Sequence, residues 1–418
     1  MSADLQQQPG MPHSGTSSIR IERVLELVLL GGLAFQMALT WPLWFPLESV
    51  LPAVTMWGTP RLAMAWESLL SCSLLIFFSW GLFSKVRHSQ WLQISQWAMF
   101  LSLMLLVMLN VQRFQPWLWH FVLMRMALSI GQSDQTQLEK PGLVWAQRLT
   151  IAIYFFSAIS KFDHYFLTHQ ANQLLAGLFH ATGFNDAFLS DEVRLLLKDF
   201  FPVGELLVAL LLMSARTRIY GLMGATALHA GLLLTLGPLG LRHNPPVLVW
   251  NILFLSSTWL CFWQFRTSKG PGVSWFRADK SSMFQSTIVK LAIVFPLLEW
   301  IGFADAWPAW CLYAARQGTA SIEVRTSTPP AQFLTDALQP VDLEGWQQLD
   351  VHRLSFQQTG APPYPAGRFL NAWGEWISHQ PGVEQVRVRI GGPPNRWNGR
   401  QTHTEFLHSA AHQKSTVP

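Results

Sequence analysis

Eight ionisable residues stand inside otherwise apolar runs of this chain: Glu67, His120, Arg125, Lys161, Glu205, His229, Lys290 and Glu299. Each is costly to bury in hydrocarbon, so each marks a candidate functional position. Lys161 leads. It closes an apolar run that starts near Leu143 and passes through Tyr154-Phe155-Phe156-Ser157-Ala158-Ile159-Ser160-Lys161-Phe162-Asp163-His164. A lysine taken out of water gives up its proton more readily and then serves as a general base. The plain alternative is an anchor whose amine snorkels to the membrane interface. Asp163 falls off the helical face of Lys161, whereas His164 shares it.

The partners of such a base are legible too. His229 lies mid-run in Ala-Leu-His-Ala-Gly-Leu-Leu-Leu, either as a second catalytic group or as a hydrogen-bonding strut between helices. Glu205, in Phe-Pro-Val-Gly-Glu-Leu-Leu, is an ion-pair partner for Lys161, Arg125 or a histidine. A direct pair with Lys161 would hold the amine protonated and weaken the base. Asn244, in Arg-His-Asn-Pro-Pro, and Asn251 supply polar groups for a pocket wall. Lys290 sits near the end of its run, where a lysine snorkels. Cys72 and Cys261 lie in apolar runs, Cys311 lies beyond the last, and no C-x-x-C occurs, so neither a thiol relay nor a metal site is expected.

The elements that position these residues follow from the apolar runs. Half of the chain is hydrophobic and only 13% is charged, against about 25% in soluble domains. A span needs about 20 apolar residues. Runs near 24–45, 62–83, 92–110, 116–130, 143–160, 201–215, 219–239, 247–265 and 286–301 give about nine spans. The expected fold is therefore mainly α: a polytopic transmembrane helical bundle. With the N-terminus in the cytoplasm, twelve Lys and Arg fall on the inner side and six on the outer. This positive-inside bias places Lys161 and the C-terminus outside. It also accounts for the formal charge of +5 without a nucleic-acid partner. Residues 1–22 read as a disordered cytoplasmic tail and 23–317 as the bundle. Polar, amphipathic residues 162–198 read as helices lying on the outer interface.

From about Gly318 the composition changes. Ser321–Arg325 and Gln385–Ile390 alternate with period two and read as half-buried strands. Residues 330–338 and 366–379 read as helices, the latter with Phe369, Leu370, Trp373 and Trp376 on one face. Residues 318–400 are thus expected to form a small extracytoplasmic α+β domain, and 401–418 a loose tail.

The order Tyr-Phe-Phe-Ser-Ala-x-x-Lys-Phe-Asp resembles a segment of the vitamin K-dependent γ-carboxylases and their bacterial HTTM (horizontally transferred transmembrane domain) relatives. DoxX-like membrane proteins carry a similar small-x-x-Lys-apolar pattern. The resemblance covers about residues 20–265 and is motif-level near 110–120, 154–166, 202–207 and 226–251. It implies that Lys161 deprotonates a reduced quinone such as vitamin K hydroquinone, that His229 is the histidine of the matching helix, and that Glu205 opens a helix shared with both families. Near 110–120 carboxylases have a polar segment bearing a histidine. Here the segment supplies Arg113 and Gln115 to the pocket, the histidine is replaced by Gln-Pro-Trp, and the nearest one is His120. The large lumenal region of animal carboxylases is absent from this chain.

Three readings follow. The first is an inner-membrane enzyme acting on a quinone-like or other lipid-soluble substrate. The second is a non-catalytic DoxX-like accessory protein whose outer domain recruits an extracytoplasmic protein partner. The third, a transporter relaying through Glu205, His229 and Arg125, lacks the paired broken helices such proteins use.

Overall fold

The computed structural model describes residues 14–46, 51–56, 64–83, 90–130, 141–263, 283–312 and 320–409. Several basic residues behind the charge bias (Arg61, Lys85, Arg87, Lys140, Arg266, Lys269, Arg277, Lys280) lie outside them. The chain is mainly helical, with one small antiparallel sheet near its C-terminus.

The bundle is built from α1 (Ser14–Leu39), the short α2 (Trp41–Trp44), α3 (Met64–Phe83), α4 (Gln90–Leu109), α5 (Pro116–Leu128), α6 (Pro141–Ser160), α7 (Ala171–Thr182), α8 (Asp191–Met213), α9 (Arg218–Leu236), α10 (Pro245–Phe262), α11 (Met283–Val294) and α12 (Pro296–Trp300). Each expected span overlaps a helix, but among the described residues four helices are long and apolar enough to cross a membrane: Pro141–Ser160, Arg218–Leu236, Pro245–Phe262 and Met283–Trp300. The shortfall from nine has local causes. α5 has 13 residues and so is roughly 20 Å long, against a hydrocarbon core of about 30 Å. α8 and α1 spend their first turns on charged residues, Asp191 to Asp199 and Arg20 to Glu26. α1 also begins at Ser14, so residues 14–22 are helical rather than part of a disordered tail.

The outward faces are apolar while the interior is polar. Phe35, Trp66, Ile76, Trp97, Leu101, Leu210, Met223 and Ile252 are exposed; Gln36, Gln96, His120, Arg125 and Arg148 are buried. That inversion suits a lipid surround, since a water-facing apolar surface of this extent would aggregate. α6 is the central helix, buried over most of its length between α5, α8, α10 and α11.

The domain after the bundle contains β1 (Ala320–Thr326), α13 (Gln332–Thr335), β2 (Gln347–Leu349), α14 (Val351–Thr359), α15 (Gly367–Ser378), β3 (Val383–Gly391) and β4 (His403–Ser409), with strand order β2-β1-β3-β4. The two alternating segments are neighbours, with Ile322 opposite Val388 and Val324 opposite Val386. Their buried sides meet Phe369, Trp373 and Ile377 of α15. β4 corrects the expected loose tail: only two of its residues are strongly apolar, so backbone pairing to β3 rather than a buried face makes it a strand.

Bundle and domain are knitted together. Leu51, Val111 and Trp307 belong to the domain's core. Gln112 Nε2 donates to Ser355 Oγ (2.8 Å) and Thr359 Oγ1 (3.1 Å). Tyr364 donates to Asp305 Oδ2 at 2.7 Å, and Arg368 pairs with the same carboxylate. At the end of α14, Gly360 has φ +68° and lies so close to Leu39 that a Cβ would sit 2.6 Å from its carbonyl oxygen. Only glycine meets both demands.

Candidate functional site

Tyr154 and Ser157 of α6 and Lys161, the residue after its last turn, are spaced i, i+3, i+7 and so share one face. That face borders a cavity of about 50 Å³, several times the roughly 10–15 Å³ that one water needs. Glu205 of α8, His229 of α9 and Asn251 of α10 complete its polar lining. Ile153, Leu174, Phe201, Leu228, Leu232, Trp250, Phe254 and Leu312 form the apolar walls. The partly exposed members are Phe201, Glu205, Leu228, Leu232 and Leu312, so the cavity reaches the bundle surface beside α8 and α9. At their other ends these two helices close up, because Gly221 meets Leu212 where a Cβ would lie 2.9 Å from its backbone nitrogen.

Two hydrogen-bonded groups face this space. In the first, Lys161 Nζ donates to Glu205 Oε2 (2.5 Å), Ser157 Oγ (2.7 Å) and the Ser157 carbonyl (3.1 Å), while Ser157 Oγ donates to Glu205 Oε1 (3.1 Å). An ammonium has three N–H donors, and all three are used. The amine therefore offers no lone pair to the cavity in this arrangement. Lysine also closes the C-terminus of α6, where a cation opposes the partial negative charge of the last carbonyls. Glu205 stands three residues after Pro202, a proline inside α8 that lacks an N–H and interrupts the helical ladder there.

In the second group, Asn251 Nδ2 donates to the Val247 carbonyl (2.9 Å), which turns its oxygen toward His229 Nδ1 at 3.0 Å. Nδ1 must then carry the proton, and Nε2 is left as an acceptor. Tyr154 OH, 2.9 Å from Nε2, is the donor. The tautomer thus follows from the amide's orientation. The result is a directed chain, Tyr154 to His229 to Asn251, with the phenol at the cavity wall.

The sequence-derived residues divide. Lys161, Glu205, His229 and Asn251 meet at the cavity; Arg113, Gln115, His164 and Asn244 do not line it. Arg113 is buried, ion-pairs with Glu67 and donates to the Leu43 carbonyl at 2.8 Å, fastening α3 to the α1–α2 corner. Gln115 donates to the Gln112 carbonyl at 2.8 Å and braces the turn before α5. Asn244 is the residue before the two prolines that start α10. His164 faces the sheet domain: its N–H donates to the Arg396 carbonyl at 2.8 Å, and its ring packs where Gly399 has no Cβ. His120 sits behind the cavity, accepting from Trp250 Nε1 at 3.5 Å.

Arg396, on the loop between β3 and β4, was not expected near the site. Its guanidinium lies 3.5 Å from Glu299 and over the Trp300 ring at 4.5 Å. No sequence signal links residue 396 to Lys161, because the contact exists only after the sheet has formed. Tyr154 and Ser157, by contrast, were within reach of helical periodicity counted back from Lys161. Burial, reinforced by Glu299, pushes the Cys311 thiol up to about 12, so it stays protonated and unreactive. Among the described residues no cluster of His, Cys, Asp or Glu has metal-binding geometry. Comparison with known proteins found no matching family model, no matching curated protein and no matching solved structure.

Proposed function

We propose that this chain is an integral membrane protein of the HTTM and γ-carboxylase-like class that binds a lipid-soluble, oxygen-bearing small molecule, a quinone or hydroquinone, in the α6 cavity. The observation that carries the reading is the joining, in one largely apolar cavity, of a Lys161–Glu205 pair and a Tyr154–His229–Asn251 chain. Aromatic and aliphatic walls accept a ring, and the two polar groups can address two oxygens of one ligand. In the proposed arrangement the nine bundle segments read from the apolar runs lie at membrane depth, the N-terminus is cytoplasmic and the sheet domain is outside.

Lys161 serves as base in this reading through Glu205. An ion pair loses much of its advantage when water leaves. A ligand filling the cavity favours passage of one proton from Nζ to the carboxylate across their hydrogen bond. The freed lone pair then takes a ligand O–H proton, while the second ligand hydroxyl donates to the Tyr154 oxygen, whose own proton is held by His229 Nε2. Solvent extraction of the purified protein, read by absorbance and mass spectrometry, tests the ligand class. A bound quinone or phenol that is lost from Tyr154→Phe and Lys161→Ala supports it. An empty extract, together with no uptake of added reduced or oxidised menaquinone, sinks it. Turnover surviving in Lys161→Ala, once a substrate is in hand, removes the catalytic role.

One observation favours the accessory reading. Among the described residues β4 is an edge strand, with Leu407 and neighbouring Trp397 exposed. Such an edge can pair with a strand from another protein. A stable complex lost when residues 403–409 are replaced by a Gly/Ser segment would support that alternative.

A further inference from the structure

α6 and α11 both begin at the end of the bundle opposite the sheet domain. Each carries a cation seven residues in: Arg148 after Pro141, and Lys290 after Met283. Seven residues rise about 10 Å along a helix, and helical side chains lean back toward its N-terminus. Both cationic tips therefore return toward headgroup depth, and both meet the same indole. Arg148 Cζ is 4.2 Å and Lys290 Nζ 5.4 Å from the Trp145 ring centroid.

Arg148 is 2% exposed, yet its Nε and Nη1 have no hydrogen-bond partner. Four other cations of the bundle and its outer face have carboxylates: Arg113 has Glu67, Arg125 has Glu26, Lys161 has Glu205 and Arg396 has Glu299. Among the described residues neither Arg148 nor Lys290 has one. A single indole attracts either cation but does not cancel the repulsion between two. Two helix N-termini at the same end add to the positive potential.

We propose that Arg148, Lys290 and Trp145 form a site for a phosphate-bearing anion, supplied by the headgroup of an anionic phospholipid. The guanidinium fork matches phosphate oxygens, and the lysine adds a point charge. Leu291 and Val294, exposed on the same helix as Lys290, offer a surface for the acyl chains. The site is separate from the α6 cavity and independent of the function proposed for it.

The test uses the full chain in a neutral detergent. Native mass spectrometry measures retention of phosphatidylglycerol against phosphatidylcholine, and melting temperature is followed with inorganic phosphate alone. Wild type should retain phosphatidylglycerol preferentially. Arg148→Gln and Lys290→Gln should each lower that preference about fivefold, the worth of one cation at a membrane surface. Arg216→Gln, an exposed cation at the same end, should leave it unchanged. Lys290 is exposed, so its variant folds even if Arg148→Gln does not. Equal retention of the two lipids by wild type, or an unchanged preference in Lys290→Gln, overturns the proposal. So does stabilisation by inorganic phosphate with none by phosphatidylglycerol, which would assign the site to a soluble ion.

Discussion

Cutting the Lys161–Glu205 pair from one side should cost more stability than removing the pair entirely. Their side chains are 6% and 12% exposed and 2.5 Å apart. Glu205→Leu leaves an ammonium in apolar surroundings with only the two Ser157 oxygens as acceptors. Removing one partner of a buried pair costs about 3–5 kcal/mol, and the surviving hydrogen bonds argue for the lower end, about 3 kcal/mol. Lys161→Met should cost about half as much, because Glu205 keeps the Ser157 hydroxyl and lies nearer the mouth. The double variant Lys161→Met/Glu205→Leu removes both charges and should fall within about 1 kcal/mol of wild type. The coupling is then at least about 3.5 kcal/mol, large for a neighbouring pair. Unfolding in a denaturing detergent, followed by loss of helicity, measures all four proteins under one condition. If the double variant is as unstable as the two single variants combined, the ammonium reaches water by itself and the buried-pair argument is wrong.

Asn251→Leu should destabilise by about 1–3 kcal/mol in the same assay, since it strands the His229 Nδ1–H without an acceptor. Tyr154→Phe should cost no more than that while removing ligand; the reverse ranking would contradict the tautomer assigned to His229. Gly374→Ala should cost about 1–3 kcal/mol, because the new methyl would sit 2.1 Å from Val388 Cγ2, and Val388→Ala should restore part of the loss. Burial, and then the charge of His352, hold the His243 imidazole below its ordinary value. The unfolded chain takes up that proton near pH 6.5 and the folded chain only at lower pH. Its contribution is therefore complete above about pH 6.5 and declines as pH falls below it. The melting temperature of wild type should drop more between pH 7.5 and 5.5 than that of His243→Asn, and equal drops would refute the assignment.

What the sequence made legible depended on the reach of each pattern. Helical periodicity located the helices because it repeats every few residues, and the alternation of Ile322-Glu323-Val324 and of Val386-Arg387-Val388 located two paired strands. β2, with three residues, and β4, whose pairing to β3 needs no buried apolar face, carry no such pattern. The cavity was half legible. Lys161, Glu205, His229 and Asn251 stood out as polar residues in apolar runs and do converge. The same reasoning misplaced Arg113, because a buried cation is equally well explained by a private counter-ion, here Glu67. It also misplaced His164, since its partners at Arg396 and Gly399 are over 200 residues away in the chain. Helix count suffered for a different reason. An apolar run shows where hydrocarbon is tolerated, whereas spanning also requires length, which α5 lacks.

The loop that carries Arg396 follows every bundle helix in chain order, which sets a sequence of events during synthesis. Residues 141–262, with all but one of the cavity's lining residues, leave the ribosome well before residues 392–402, and the loop has no shape until β3 and β4 have paired. The ion pair and the tyrosine–histidine chain can therefore assemble in a bundle whose Lys161–His164 corner is still bare. The carbonyl that receives the His164 N–H and the guanidinium that answers Glu299 arrive last. A ribosome that stalls, or a protease that clips ahead of β3, leaves a bundle with its interior chemistry in place and that corner uncovered. The β3–β4 hairpin thus reports whether that corner has been covered.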